Sequence, residues 1–359
     1  MPSIPKLLAA GSLLPFALPV LLVALGASFL LWPLALPYVL FRAHRAYGYY
    51  SRKAHSAGAG PPPLSSASVT RKVPAAFRAT TIVNKQHLPL YTVHAAAGAA
   101  KEEPQGVLFL VHGLAEHCMR YTRAIEEWNR RGFVVFAMDH QGHGRSGGDR
   151  AHVEAFDDFV DDYVQFIDHV HATVPAVAKL PHFLFGHSLG GLIAVHVAAR
   201  RPEMWNGVLL SGPALEPDPA QASPLLIAVG GFLASRLPKL GLTYLPSDGV
   251  SRDMAIRAEY VADPLVYHGP VRLNLAFAIL NAMEYAKHAL AADAKYSFWL
   301  GHGSADVLTR PSGSREFFAA SPSDDKTIHL YEGLFHELLN EPEKEKILAE
   351  MIDWMDARL

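Results

Sequence analysis

Ser188 sits at the centre of Gly186-His187-Ser188-Leu189-Gly190, between the apolar run Pro181 to Phe185 and a helix-like stretch from Leu189 to Arg200. On a sharp turn from strand to helix a serine hydroxyl stands clear of the backbone, and the flanking glycines leave room for the bend. The pentapeptide alone is a weak signal. Its surroundings strengthen it, because a strand-like HFLF segment precedes it and Gly191, Ala194, Ala198 and Ala199 let the following helix approach a sheet closely. The chemistry implied is nucleophilic attack by Ser188.

A neutral hydroxyl is a weak nucleophile, so Ser188 needs a base within hydrogen-bond reach and a carboxylate to orient that base. Serines on elbows of this kind are followed in the chain by the acid and then by the histidine, each on a loop after a late strand. The segment Tyr296 to Leu300 reads as a buried strand running into Gly301-His-Gly-Ser-Ala-Asp306, which predicts Asp306 as the orienting acid. A second strand, Thr327 to Tyr331, leads into Glu332-Gly-Leu-Phe-His336 and predicts His336 as the general base. The chain holds 19 histidines, so the choice rests on position after the last strand and not on residue type. Asp293 precedes its strand, and Asp324 and Asp325 precede the last one, so these carboxylates fit the role poorly.

Attack on a carbonyl also requires two backbone donors for the oxyanion, one from the residue after the nucleophile and one from the loop after an earlier strand. Leu189 and Leu114 are the candidates. Val107 to Val111 reads as a central parallel strand and ends in His112-Gly113-Leu114-Ala115-Glu116-His117. His112, His117, His140 and His143 invite a metal reading, but they lie on two separate loops without the i, i+4 helical pairing of a zinc protease. The serine machinery needs no metal or other cofactor, and none is expected. Cys118 is the sole cysteine, which excludes an intrachain disulfide and leaves it as a small packed residue.

Six ordered motifs carry a wider resemblance: HGLAEH at 112–117, DHQGHGRS at 139–146, GHSLGG at 186–191, ADPL at 262–265, GSAD at 303–306 and LYEGLFHELLNE at 330–341. With them the chain resembles the monoglyceride lipase family of α/β-hydrolases, from about Phe77 to the C-terminus. That resemblance implies Ser188 as nucleophile, Asp306 and His336 as its partners, and backbone donors at Leu114 and Leu189. One departure is Ala115, where the family often has glycine. A side chain there would narrow or shift the oxyanion loop.

These residues must be held by a mostly parallel sheet flanked by helices, and 359 residues of 50% hydrophobic composition suffice for one large α/β domain with additions. Phe77 to Val83 and Leu90 to His94 read as an opening pair of strands. Val107 to Val111, Phe133 to Met138 and Gly207 to Ser211 read as buried ones. The last helix, predicted over Lys344 to Leu359, places Ile347, Leu348, Met351, Ile352 and Met355 at helical spacing for the core. Between Ser211 and about Pro270 the strand rhythm stops. We expect a helical cap at about 214–270, with the apolar stretch Pro224 to Ser235 excluding water and receiving an acyl chain.

From Leu7 to Phe41 there is no charged side chain, long enough for a bilayer core of about 20 residues. The expected organisation is a membrane anchor over 1–45, a basic tether rich in Pro, Ser and Gly over 46–75, and the hydrolase domain over 76–359. Pro15, Pro19, Pro33 and Pro37 leave a single span and a hairpin both open. Arg42, Arg45, Arg52 and Lys53 follow the run and only Lys6 precedes it, which predicts a cytosolic catalytic domain on an endomembrane such as the endoplasmic reticulum. Ten basic residues precede the first acidic one, Glu102, and the remainder carries 22 basic against 34 acidic residues. Such a leader suits anionic headgroups, and the acidic body excludes nucleic acid as a partner.

The function expected is cleavage of monoacylglycerol or a similar long-chain ester through an acyl-enzyme. A lysophospholipase, a carboxylesterase or an acyltransferase would use the same three residues. A scaffold without activity, and a peptidase, fit the motifs less well.

Overall fold

The computed structural model describes residues 74, 76–96, 103–217 and 224–359, and the expected anchor and most of the tether lie outside them. The chain separates into Met1–Pro61 and Pro62–Leu359, and every described residue belongs to the second unit. Among the described residues no helix is long and apolar enough to cross a membrane.

In chain order the described elements are β1 (Phe77–Val83), β2 (Pro89–Ala95), β3 (Gly106–Val111), α1 (Thr122–Arg130), β4 (Phe133–Met138), α2 (Phe156–Thr173), β5 (His182–His187), α3 (Leu189–Arg200) and β6 (Gly207–Ser211). They continue as α4 (Pro224–Arg236), β7 (Gly241–Thr243), α5 (Met254–Ala262), β8 (Val271–Arg272), α6 (Leu273–Tyr285), β9 (Phe298–Gly303), α7 (Pro311–Ala320), β10 (Lys326–Tyr331) and α8 (Lys344–Asp356). Eight strands form one sheet in the order β1-β2-β4-β3-β5-β6-β9-β10. The β1–β2 and β2–β4 pairs are antiparallel, and all the others are parallel.

The central strands are buried along their whole length because helices cover both faces, so their sequences read as unbroken apolar runs and do not alternate. On β3, Val107, Phe109 and Val111 join the core under α2 and α3, whereas Leu108 and Leu110 join the core under α1 and α8. Ile347, Leu348, Met351, Ile352 and Met355 of α8 are all buried, each contributing about 2 kcal/mol by leaving water. That helix ends at Asp356, three residues short of the predicted end.

The chain leaves β3 for β4 on one side and then crosses to β5 on the other. This reversal opens a crevice beyond the carboxyl ends of β3 and β5, where open α/β sheets place ligands. The loops after those two strands carry Leu114 and Ser188.

One strand differs from expectation. The segment read as Tyr296 to Leu300 pairs only from Phe298 and runs on through Gly303. Gly301 and His302, read as loop residues, are therefore strand. The ladder extends because these positions fit a tightly covered strand: a Cβ on Gly303 would meet the carbonyls of Leu334 and Phe335 at 2.3 Å. His302 tolerates complete burial by finding side-chain partners.

Candidate active site

Ser188 follows β5 and begins α3 with φ 56° and ψ −120°, a backbone conformation that costs a non-glycine residue energy. Its backbone is pinned on both sides. Ser188 N donates to Ser211 O at 3.0 Å, and Ser188 O accepts from Gly191 N and Ala214 N at 3.0 Å each. The glycines of the motif are required by contact. A Cβ on Gly186 would lie 2.3 Å from Gly190 O, and one on Gly190 would lie 2.2 Å from Val111 O.

Asp306 follows β9 and His336 follows β10, and the two side chains meet: His336 Nδ1 lies 2.7 Å from Asp306 Oδ2. The tautomer with the proton on Nδ1 donates to the carboxylate and leaves Nε2 free to accept. Asp306 Oδ1 accepts from Leu308 N at 2.8 Å and Thr309 N at 3.0 Å, and the Thr309 hydroxyl donates to Oδ2 at 2.8 Å. Burial alone would raise the Asp306 pKa, but His336 and the donors around it hold the carboxylate far below its usual range. Burial likewise opposes charge on His336, and the Asp306 carboxylate overrides it to hold the imidazole above its ordinary value. Gly212, at φ 49°, passes beneath this pair, where a Cβ would lie 3.1 Å from His336 O. Asp293 ends a short helical turn before β9, and Asp325 pairs with Arg358, so neither is placed beside His336.

The His112–His117 loop lies against Ser188, since a Cβ on Gly113 would come within 3.2 Å of Ser188 Cβ. Glu116 holds it there: Oε1 accepts from Gly113 N and from the Tyr121 hydroxyl, both at 2.6 Å. Ala115 takes φ 65°, the left-handed region, and its carbonyl accepts from Tyr267 N at 2.7 Å. The conformation explains why glycine suits this position and shows that alanine accepts strain to keep it. His117 Nε2 lies 3.0 Å from Asp263 Oδ2, which ties the loop to the ADPL motif.

His112 and His140 bind backbone. His112 Nδ1 donates to Gly113 O at 2.8 Å, its Nε2 accepts from His140 N at 2.9 Å, and His140 Nε2 donates to His112 O at 2.9 Å. Burial pushes His112 well down and His140 down to about 3, so both stay neutral and act as spacers between two loops. Asp139 accepts from Cys118 N and Arg145 N, and Cys118 is itself fully buried. His187 lies tilted against His336 at 4.6 Å between ring centroids. Burial and then the neighbouring imidazole bring it to about 4, so it is neutral too.

A cavity of about 130 Å³ joins these groups. Leu114, Ser188, Leu189 and His336 line it together with apolar side chains such as Ile279 and Met283 of α6. Sequence reading missed Arg120, Glu337 and Tyr260, which also line it. Arg120 and Glu337 are charged residues in a buried setting, and only three-dimensional pairing makes them compatible with it.

An eight-stranded, mostly parallel sheet with a serine elbow at the end of β5 and an Asp–His pair after its last two strands defines an α/β-hydrolase. The profile of the Hydrolase_4 family, described as serine aminopeptidase S33, matches residues 102–343, and the chain belongs to that family. Among its relatives, a monoacylglycerol lipase of Mycolicibacterium smegmatis is 36% identical over 260 residues, 72% of this chain and 90% of the relative. A monoglyceride lipase of Rattus norvegicus is 36% identical over 258 residues, 71% of this chain and 84% of the relative. The crystal structure of the Paleococcus ferrophilus monoacylglycerol lipase superposes with a TM-score of 0.66 at 33% identity, covering 75% of this chain and 99% of that one. The protein is a serine ester hydrolase.

Proposed function

We propose that the protein cleaves monoacylglycerols or closely similar long-chain acyl esters to a fatty acid and an alcohol. Ser188 Oγ attacks the ester carbonyl while His336 Nε2 takes its proton. Asp306 holds the imidazole tautomer and steadies its charge, and the backbone amides of Leu114 and Leu189 receive the oxyanion. His336 then returns the proton to the leaving alkoxide, and water repeats the sequence on the acyl-enzyme. The observation that carries this reading is the His336–Asp306 contact of 2.7 Å, placed with Ser188 around one apolar cavity. The names of the relatives supply the substrate class.

The segment at about 214–270 serves in this reading as a cap that admits the acyl chain. Phe232, Leu237, Leu240, Leu242 and Tyr244 are large apolar side chains left exposed on it, which suits approach to a lipid surface. Residues 1–45 serve as a membrane anchor and 46–75 as a basic tether, which keeps the domain of residues 76–359 beside substrates that partition into bilayers. An epitope after Leu359 that was protected from protease in sealed microsomes would overturn the cytosolic placement.

Aminopeptidase activity is the lesser reading. A free amine calls for an uncommitted carboxylate, and the two that line the cavity, Glu116 and Glu337, both bind Arg120. The deciding assay is fatty-acid release from monoacylglycerol and from a lysophospholipid by the purified full-length protein, with Ser188→Ala as control. Release from monoacylglycerol, abolished in the variant, is the expected result. Release from the lysophospholipid alone would replace the substrate class, and activity in the variant would overturn Ser188 as nucleophile.

A further inference from the structure

Asp306 faces a second imidazole. His302, on β9, is completely buried, and its Nε2 lies 3.1 Å from Asp306 Oδ2, the oxygen that also receives His336. The other ring nitrogen, Nδ1, lies 2.7 Å from the hydroxyl of Ser314 on α7. A serine hydroxyl can donate to Nδ1, which places the proton on Nε2, where the Asp306 carboxylate is the nearest acceptor and the hydroxyl and carbonyl oxygens of Thr309 lie farther off at 3.3 and 3.4 Å. The opposite tautomer would aim a lone pair at the Asp306 carboxylate. Ser314, His302, Asp306 and His336 thus form a continuous chain from α7 to the base, and the extension of β9 through Gly303 is what places His302 in it.

We propose that His302 is a positioning residue for the reaction, which orients Asp306 and draws part of its negative charge away from His336. The assignment rests on the roles given to Ser188, Asp306 and His336 above. Each hydrogen bond donated to a carboxylate weakens its pull on other protons. With His302 present, Asp306 therefore stabilises the His336 imidazolium enough to support proton transfer without holding that proton too tightly to give it to the leaving alkoxide. The other groups facing His336 are the uncharged Thr309 hydroxyl, 3.1 Å from Nδ1, neutral His187 on β5, and the carboxylates Glu116 and Glu337, both committed to Arg120, so Asp306 is the charged acceptor whose strength His302 can tune.

The test compares wild-type protein with His302→Leu, His302→Gln and Ser188→Ala, reading the pH dependence of kcat/KM for a soluble short-chain ester and the thermal unfolding midpoint of each. Leucine fills much of the ring's volume without a donor, and the glutamine amide restores a donor. For His302→Leu we expect kcat/KM to fall between about tenfold and a hundredfold. The acidic limb of its profile should move up by roughly half a unit as the unshared carboxylate grips the His336 proton harder. His302→Gln should return the limb to its wild-type position. An acidic limb in His302→Leu that is unchanged or moved to lower pH, in protein that still unfolds cooperatively, overturns the proposal. Should His302→Leu not fold, a limb in His302→Gln shifted as far as half a unit would overturn it instead. Full activity in Ser188→Ala would bring down the underlying reading, and the two failures are thereby told apart.

Discussion

Arg120 grips Glu337 with both terminal nitrogens, Nη1 and Nη2 lying 2.6 and 2.7 Å from the two carboxylate oxygens across 217 residues of chain. Nη1 also reaches Glu116 Oε2 at 2.6 Å. One guanidinium therefore joins the loop that carries Leu114 to the loop that carries His336. Burial opposes the charge on Glu337, and Arg120 overrides it and holds the carboxyl below its usual range.

Removing Arg120 strands two buried carboxylates, so Arg120→Ala should destabilise the fold by about 3 to 5 kcal/mol. Urea unfolding measures this directly. A loss under about 1 kcal/mol would mean that water or rearrangement replaces the guanidinium.

Ala115 gives a prediction of opposite sign. Its φ of 65° costs an alanine about 1 kcal/mol, partly offset because glycine loses more entropy on folding. Ala115→Gly should leave stability unchanged or raise it by up to about 1 kcal/mol. Denaturant titration would show the contrary as a clear drop in midpoint, and the His112–His117 loop would then not be strained.

Asp162, buried on α2, accepts from Asn84 Nδ2 at 3.2 Å and Gln141 Nε2 at 2.9 Å on the same oxygen. Burial raises its pKa to about 7, against the two amide donors. The folded protein thus keeps this proton where the unfolded chain has released it. Stability should fall as pH rises from about 4 to about 7 and level off above, since in that window the native state binds more protons. Asp162→Asn should flatten this component and stabilise the protein by on the order of 2 kcal/mol at pH 8. Equal pH slopes in the two proteins would refute the assignment.

His336 acts in the same direction with pH but through its charged form, in a window that begins near the ordinary imidazole value. Its raised pKa means that the fold favours the imidazolium, so its contribution to stability is complete below the unfolded value and disappears as pH rises through the folded one. The proposed reaction needs the neutral ring. The acidic limb of kcat/KM should therefore lie above the ordinary imidazole value of about 6.5, and a limb below it in a pH–rate profile would contradict the geometry.

The parts of this architecture that could be read in advance are those governed by local pattern. Val107 to Val111 and Phe133 to Met138 are apolar throughout because both faces are covered, and α8 shows its buried stripe in its spacing. The turn at Ser188 announces itself through glycines whose absent side chains are needed by neighbouring backbone. Pairings across the chain leave no such mark. Nothing adjacent to His302 shows that Ser314 will meet one of its nitrogens, and nothing near Arg120 points to Glu337. The boundary of β9 was missed for a related reason, since glycine and histidine read as loop residues until Leu334 and Phe335 are known to lie against them. The left-handed backbone at Ala115 belongs to the same class, being imposed by what its loop must touch.

The burial of Cys118 has a practical side. It is the sole thiol of the chain, fully enclosed, and burial followed by the nearby Asp139 charge pushes it well above the usual range, so almost none is thiolate at neutral pH. The protein is therefore a natural blank for maleimide chemistry. A cysteine introduced at exposed Val307, one residue past Asp306, would be the single reactive label on a folded molecule, and native Cys118 would become modifiable only on unfolding, giving one chain a reporter next to the cavity-lining Leu308 and an internal gauge of intactness.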